Sequence, residues 1–284
     1  MPFGFLKRRS DSTATAGQDA PWSSGGAAAP ARFTGNHHVN VNVTYFSRIR
    51  PDAALQVVGE AYRQENVALA RPPVPGDLPD GMPAPPPGYF KAMLLPEPGN
   101  QYDPNAVAVA LWAGGSWTLS GYLSRADAVR YQPLFRHLGR DGSAPGIACD
   151  AAVVREGLGR GVVLHLGSPG ECIAELITDD RQPADHPWAG KLIAFTGRSK
   201  TTITGVVIDR EAQLMLAAWA GCDVLPRVTK KIQALIAAEP RDPTGNTQKA
   251  REYGISVVDE VDFLRQIGLP PETIARDDLA WARQ

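Results

Sequence analysis

Polar and apolar residues alternate through Val39, Val41, Val43 and Tyr45, the period of a half-buried strand over 37–46. Short apolar runs follow at Val57-Val58-Gly59, at 90–95, at 118–123, at 146–154 and at 161–166, set apart by turn residues. Pro and Gly crowd 71–88, which predicts a loop. Helical periodicity stands out in 125–138. Short strands with one prominent helix predict a small β-barrel or half-barrel over 37–178. The pattern then changes. Apolar runs at 192–197, 232–238 and 256–258 are interleaved with helical patterns that begin near Asp209, Thr247 and Asp262. That order, strand–helix–strand–strand–helix–strand–helix, predicts an α/β domain over 186–269. Residues 179–185 read as a short polar linker. The tail, 270–284, reads as a short helix with Trp281 near its end. Residues 1–36, rich in Ala, Gly, Ser, Thr and Pro beyond Arg9, predict disorder. The expected fold class is thus mostly-β followed by α/β.

Composition narrows the function classes. The 284 residues suffice for two modest cores. Net charge is −1, yet 191–251 holds ten Lys or Arg against five Asp or Glu, so basic character gathers in the α/β part. Cys149, Cys172 and Cys222 lie far apart, which argues against a disulfide framework or a zinc site and fits a reduced cytosol. His37-His38 lacks partners at ligand spacing, and no metal or other cofactor is expected. No apolar stretch approaches the ~20 residues that span a bilayer, so no membrane partner is expected. There is no Gly-x-x-x-x-Gly-Lys-Ser/Thr loop and no nucleophile–base or metal–carboxylate constellation. The expectation is a cytoplasmic, non-enzymatic protein.

Candidate chemistry sits first in the α/β part. Thr196 and Gly197 end a strand, where a hydroxyl and a backbone N–H can both donate to a phosphate oxygen. Lys249, expected in the first turn of a helix, adds a charge near an anion-favouring N-terminus. Arg210 opens another helix and offers a planar donor fork. The ordered landmarks Phe-Thr-Gly, Arg-Glu-Ala, Thr-Lys-Lys and Lys-Ala before Gly-Ile resemble the single BRCT modules of bacterial DNA ligases and of the replication factor C large subunit. The resemblance covers about 80 residues. It implies a four-stranded parallel sheet flanked by helices, and a phosphate pocket at Thr196, Gly197 and Lys249, with Arg210 where DNA-end-binding members carry a basic residue. A further Lys of those members is Asn246 here. Phe263 stands where phosphopeptide-reading tandem members usually have Trp.

The barrel part carries Val-Val-Gly, then Glu-Pro-x-Asn-x-Tyr-Asp-Pro-Asn-Ala-Val-x-Val, then Gly-Tyr-Leu. This order resembles a HIRAN domain, an OB-like barrel whose best-understood members clasp the 3′ end of single-stranded DNA. The resemblance implies a 3′-end site at Tyr62, Asn100, Tyr102, Asp103 and Arg125. Asp103 can accept a hydrogen bond from a free 3′ hydroxyl, tyrosines supply stacking faces worth ~1–3 kcal/mol each, and Arg125 can neutralise a phosphate. Two positions depart from the family: Ala61 replaces an Arg and Tyr122 a His. A scaffold reading stands beside this one, with Asn100 and Asp103 capping a turn and Tyr102 packed inward.

Together the two parts suggest a DNA-end or DNA-structure binder in repair or replication, with repair or replication proteins as further partners. The alternative is a phosphoprotein-binding adaptor that recruits a nuclease, helicase or other repair factor.

Overall fold

The computed structural model describes residues 41–46, 54–74, 76–78, 82–142, 144–156, 159–180, 187–241 and 245–277. The disorder expected for 1–36, the His37-His38 pair and Trp281 lie outside them. The chain divides into two compact units, 1–167 and 168–284.

In the first unit the strands are β1 (Val41–Phe46), β2 (Ala54–Val58), β3 (Phe90–Pro96), β4 (Val107–Trp112), β5 (Trp117–Leu123), β6 (Ala144–Glu156) and β7 (Gly159–His165). Helix α1 (Gln64–Leu69) follows β2, and α2 (Arg125–Leu138) follows β5. Strands β6-β3-β4-β5-β2-β7 form a closed antiparallel ring, because β7 also pairs with β6. The half-barrel alternative is therefore excluded. Closure gives every strand of the ring two neighbours, though β7 covers only residues 150–156 of β6. Strand β1 adds to β6 in parallel.

Closure depends on Gly121. A Cβ there would lie 2.4 Å from Val57 Cγ1 and 2.7 Å from the Val58 carbonyl oxygen. Val58 pairs with Tyr122, so the Val-Val-Gly and Gly-Tyr-Leu landmarks are the two sides of one tight seam. Helix α2 starts at a Ser124 cap, whose side chain accepts from the Asp127 N–H. It buries Ala128, Tyr131, Leu134 and Phe135. An ion pair lies inside the ring wall. The fully buried Lys91 Nζ donates to Asp150 Oδ1 at 2.5 Å and to the Tyr45 hydroxyl, also at 2.5 Å. Burial lowers the Lys91 pKa, and Asp150 pulls it back up.

The second unit comprises α3 (Pro169–Asp180), β8 (Leu192–Thr196), β9 (Thr201–Ile203), β10 (Val206–Val207), α4 (Arg210–Trp219), β11 (Asp223–Val224), β12 (Ala234–Ala237), α5 (Gly245–Glu252), β13 (Ser256–Asp259), α6 (Glu260–Gln266) and β14 (Ile274–Arg276). Strands β11-β8-β12-β13 form a four-stranded, wholly parallel sheet. One face packs Ala194 and Leu235 with Ala250 of α5. Phe263 of α6 meets Phe195 and Trp188 edge to face.

Three elements differ from the sequence reading. Helix α3, assigned in part to the barrel, packs on α4 and belongs to the second unit. Gly170 allows that approach, since a Cβ there would lie 2.7 Å from the Val207 carbonyl oxygen. The tail expected as a helix from 270 opens with a single 3-10 turn, Pro271–Thr273, and then continues as β14, which pairs with β9 in a three-stranded antiparallel sheet with β10. Helix α5 begins at Gly245, so Lys249 falls in its second turn and not in its first.

Candidate nucleic-acid interface

The parallel sheet delivers Thr196 to its carboxyl-terminal edge, because Thr196 is the last residue of β8. Gly197 follows with φ +80, a conformation that L side chains rarely adopt, and its missing Cβ would press on Ala238 at 3.3 Å. Asp209 caps α4 by accepting from the Ala212 N–H, which places Arg210 at the helix start. From there the Arg210 guanidinium donates to the Gly197 carbonyl at 2.9 Å and lies over Phe195, 5.5 Å from the ring centroid. Burial lowers its pKa, and Glu260 and Glu211 oppose that shift. It stays a cation throughout the physiological range.

From the facing helix, Asn246 Nδ2 donates to Thr196 Oγ1 at 3.1 Å. Thr196, Gly197, Arg210 and Asn246 therefore meet at one edge. Lys249, one turn further along α5, holds its Nζ 5.7 Å from the Tyr253 ring centroid. Asn246, noted in the sequence only as standing in place of a Lys, is thus an α5 side chain that reaches the threonine. Beneath this edge lies the buried carboxylate of Glu260. It accepts from Ser199 at 2.9 Å, from Thr201 at 2.8 Å and from Gln213. Sequence reasoning missed that support. Its signal was a Glu opening a helix straight after an apolar strand.

On the barrel, the turn between β3 and β4 is built by two side chains. Asn100 Oδ1 accepts from the Tyr102 N–H at 3.0 Å and from the Asp103 N–H at 3.3 Å. Asp103 Oδ1 accepts from the Asn105 N–H at 2.9 Å. The scaffold role of Asn100 and Asp103 is thus present, as Asx geometry favours. Tyr102 does not pack inward; it is 64% exposed. Asp103 Oδ2 pairs with Arg125, 3.5 Å from its Nε.

The same run extends the other way. Asn100 Nδ2 donates to Glu97 Oε2 at 2.9 Å. Glu97 hydrogen-bonds Tyr122, and the Arg63 guanidinium lies over the Tyr122 ring at 5.8 Å. Burial first, then the Glu97 charge, raises the Tyr122 pKa, and Arg63 lowers it. Contacts therefore run unbroken from Arg63 through Tyr122, Glu97, Asn100 and Asp103 to Arg125. Tyr62 precedes Arg63, 94% exposed, its N–H held by the Gly59 carbonyl. Arg63 and Glu97 were not anticipated as site residues. Arg63 is adjacent to Tyr62 in sequence, and only the β2–β5 pairing reveals that it sits on Tyr122.

Among the described residues no cluster of His, Cys, Asp and Glu could hold a metal ion, and no helix is long and apolar enough to cross a membrane. Similarity to known proteins is partial. The chain is 32% identical over 87 residues to a DNA ligase of Syntrophobacter fumaroxidans (strain DSM 10017 / MPOB). The match takes in 31% of this chain and 12% of the ligase, so the chain corresponds to a small part of that protein. No protein-family model matches the chain.

Proposed function

We propose that this protein is a non-enzymatic binder of DNA ends, with a HIRAN-like barrel that takes single-stranded 3′ termini and a BRCT-like unit that takes a 5′ phosphate. The observation that carries the reading is the meeting of Thr196, Gly197, Asn246 and Arg210 at the carboxyl-terminal edge of a parallel sheet. Such an edge is where open α/β sheets commonly bind ligands. A hydroxyl, an amide and a guanidinium are the donors a phosphate needs. Partial similarity to a DNA ligase supports a DNA-related role. On the barrel, exposed tyrosines beside a carboxylate and two arginines supply stacking, hydroxyl sensing and charge neutralisation.

The test is a binding series with the intact chain on single-stranded, blunt, recessed and 5′-phosphorylated oligonucleotides. The expected result is salt-sensitive binding that prefers a 5′ phosphate on duplex and a 3′ hydroxyl on single strands. Asp103→Ala should narrow the difference between 3′-hydroxyl and 3′-phosphate ends, since the wild-type carboxylate accepts from the first and repels the second. Binding of phosphopeptides with indifference to DNA would replace this reading with the adaptor one.

A further inference from the structure

The turn before β12 brings a lysine toward the far end of α5. Its shape is fixed by the Ile232 N–H donating to the Thr229 carbonyl and by the Lys231 N–H donating to Thr229 Oγ1. From that turn Lys230 Nζ reaches 5.4 Å from the Tyr253 ring centroid. Lys249 Nζ reaches 5.7 Å from the same centroid. One exposed tyrosine thus gathers two ammonium groups.

The position of this cluster gives it a use. Asn246 and Lys249 of α5 and Tyr253, the first residue beyond it, stand at i, i+3 and i+7; the Tyr253 N–H donates to the Lys249 carbonyl at 3.1 Å and carries the stripe one residue past the helix, and all three residues are exposed. Thr247 and Ala250 face inward and are fully buried. The stripe begins at Thr196 and ends at the lysines. Seven residues of helix span roughly 10 Å, about three steps of a duplex at ~3.4 Å per step. Glu252 is the acidic residue next to Tyr253 in the helix sequence, off the stripe, and Arg251 is turned to the Pro240 carbonyl at 3.0 Å.

We propose that this stripe, with Lys230, is a track for the phosphate backbone of duplex DNA that leads away from the end-binding edge. The track rests on the DNA-end reading of that edge and adds to it a contact about three nucleotides inward, made by charge without base readout.

The test uses the intact chain and a blunt duplex with either a 5′ phosphate or a 5′ hydroxyl, titrated from 50 to 200 mM salt. Lys230→Gln should weaken both duplexes several-fold at the low-salt end. It should shallow the log-affinity against log-salt slope by about 0.9, the share of one phosphate contact. The preference for a 5′ phosphate should survive. Asn246→Ala should do the converse, erasing the preference and leaving the slope in place. Tyr253→Phe keeps the ring and both cations and should bind as the wild type does. An unchanged slope in Lys230→Gln and in the Lys230→Gln/Lys249→Gln double variant would overturn the track while leaving the end-binding edge standing. A wild type that binds duplex without noticing the 5′ phosphate, yet loses slope in Lys230→Gln, would keep the track and remove the edge. A wild type that ignores duplex DNA overturns both.

Discussion

At the scale of single residues, the most consequential side chains are buried charges and thiols that the sequence shows only as anomalies. Lys91 interrupts an apolar strand and Asp150 interrupts another, and β3–β6 register sets them opposite one another. Removing one partner strands the other in a dry wall. Asp150→Ala should therefore cost about 3–5 kcal/mol in urea unfolding, and a Lys91→Met/Asp150→Leu double variant should regain most of it. Cys222 behaves differently. It is buried, its Sγ lies 3.5 Å from the Trp188 carbonyl, and burial raises its pKa from 9.0 to about 11. A thiol whose folded pKa is raised keeps its proton after the unfolded chain has lost it. Stability is then intact below pH 9 and falls as pH rises toward 11, by on the order of 2 kcal/mol. Chemical denaturation of Cys222→Ala at pH 8 and pH 10.5 should show a smaller alkaline loss than the wild type. An equal loss would move the cause elsewhere. Lys249 and Asn246 teach the complementary lesson. Their spacing along α5 was legible, but which of the two faces Thr196 depends on where the helix begins, and a boundary error of one turn exchanges them.

At the scale of elements, strand and helix periods were good guides wherever a single face is buried. Helix α2 occupies the predicted 125–138, β8 and β12 lie inside the predicted runs, β13 runs one residue past its predicted 256–258, and α6 begins two residues before the predicted Asp262. Short elements escaped. Helix α1 has six residues, and β9, β10 and β14 have two or three each, too few for a period to register. They exist because tertiary pairing supplies what local preference does not; β14 is a strand only because β9 lies beside it. Parallel addition of β1 to β6 is likewise invisible in either strand alone. The β2–β5 seam is the element-scale feature most open to test. Gly121→Ala would drive a methyl into Val57 and the Val58 carbonyl, so the seam must open or the strands must shift. A loss of about 1–3 kcal/mol in thermal or urea unfolding is expected. A neutral Gly121→Ala would mean that the seam is looser than its distances state. Because Tyr122 and Arg63 flank this seam, the same variant should disturb the Arg63–Tyr122 end of the barrel site and spare the Asp103–Arg125 end.

At the scale of the whole molecule, composition and alternation were enough to separate a barrel from an α/β unit, but not to place the division. Helix α3 carries an apolar run that either unit could bury, and contact with α4 decides for the second. The site on each unit was partly legible, because turn-forming Asn and Asp and a strand-ending Thr-Gly announce themselves. The connecting residues Arg63, Glu97 and Glu260 were not, since each belongs to its site only through a distant strand or helix. One consequence of the closed ring concerns time. Sealing it requires Ala54 to find His165, whereas the parallel sheet needs only Ile193 to find Ala234. Contacts so distant along the chain slow folding. Stopped-flow refolding should show two phases, the slower reported by Trp112 and Trp117 and the faster by Trp188 and Trp219. Replacing the first two tryptophans with Phe should remove the slow amplitude alone. Synthesis runs the opposite way: the slow barrel leaves the ribosome first, and gains, while the second unit is being made, the interval its long searches demand.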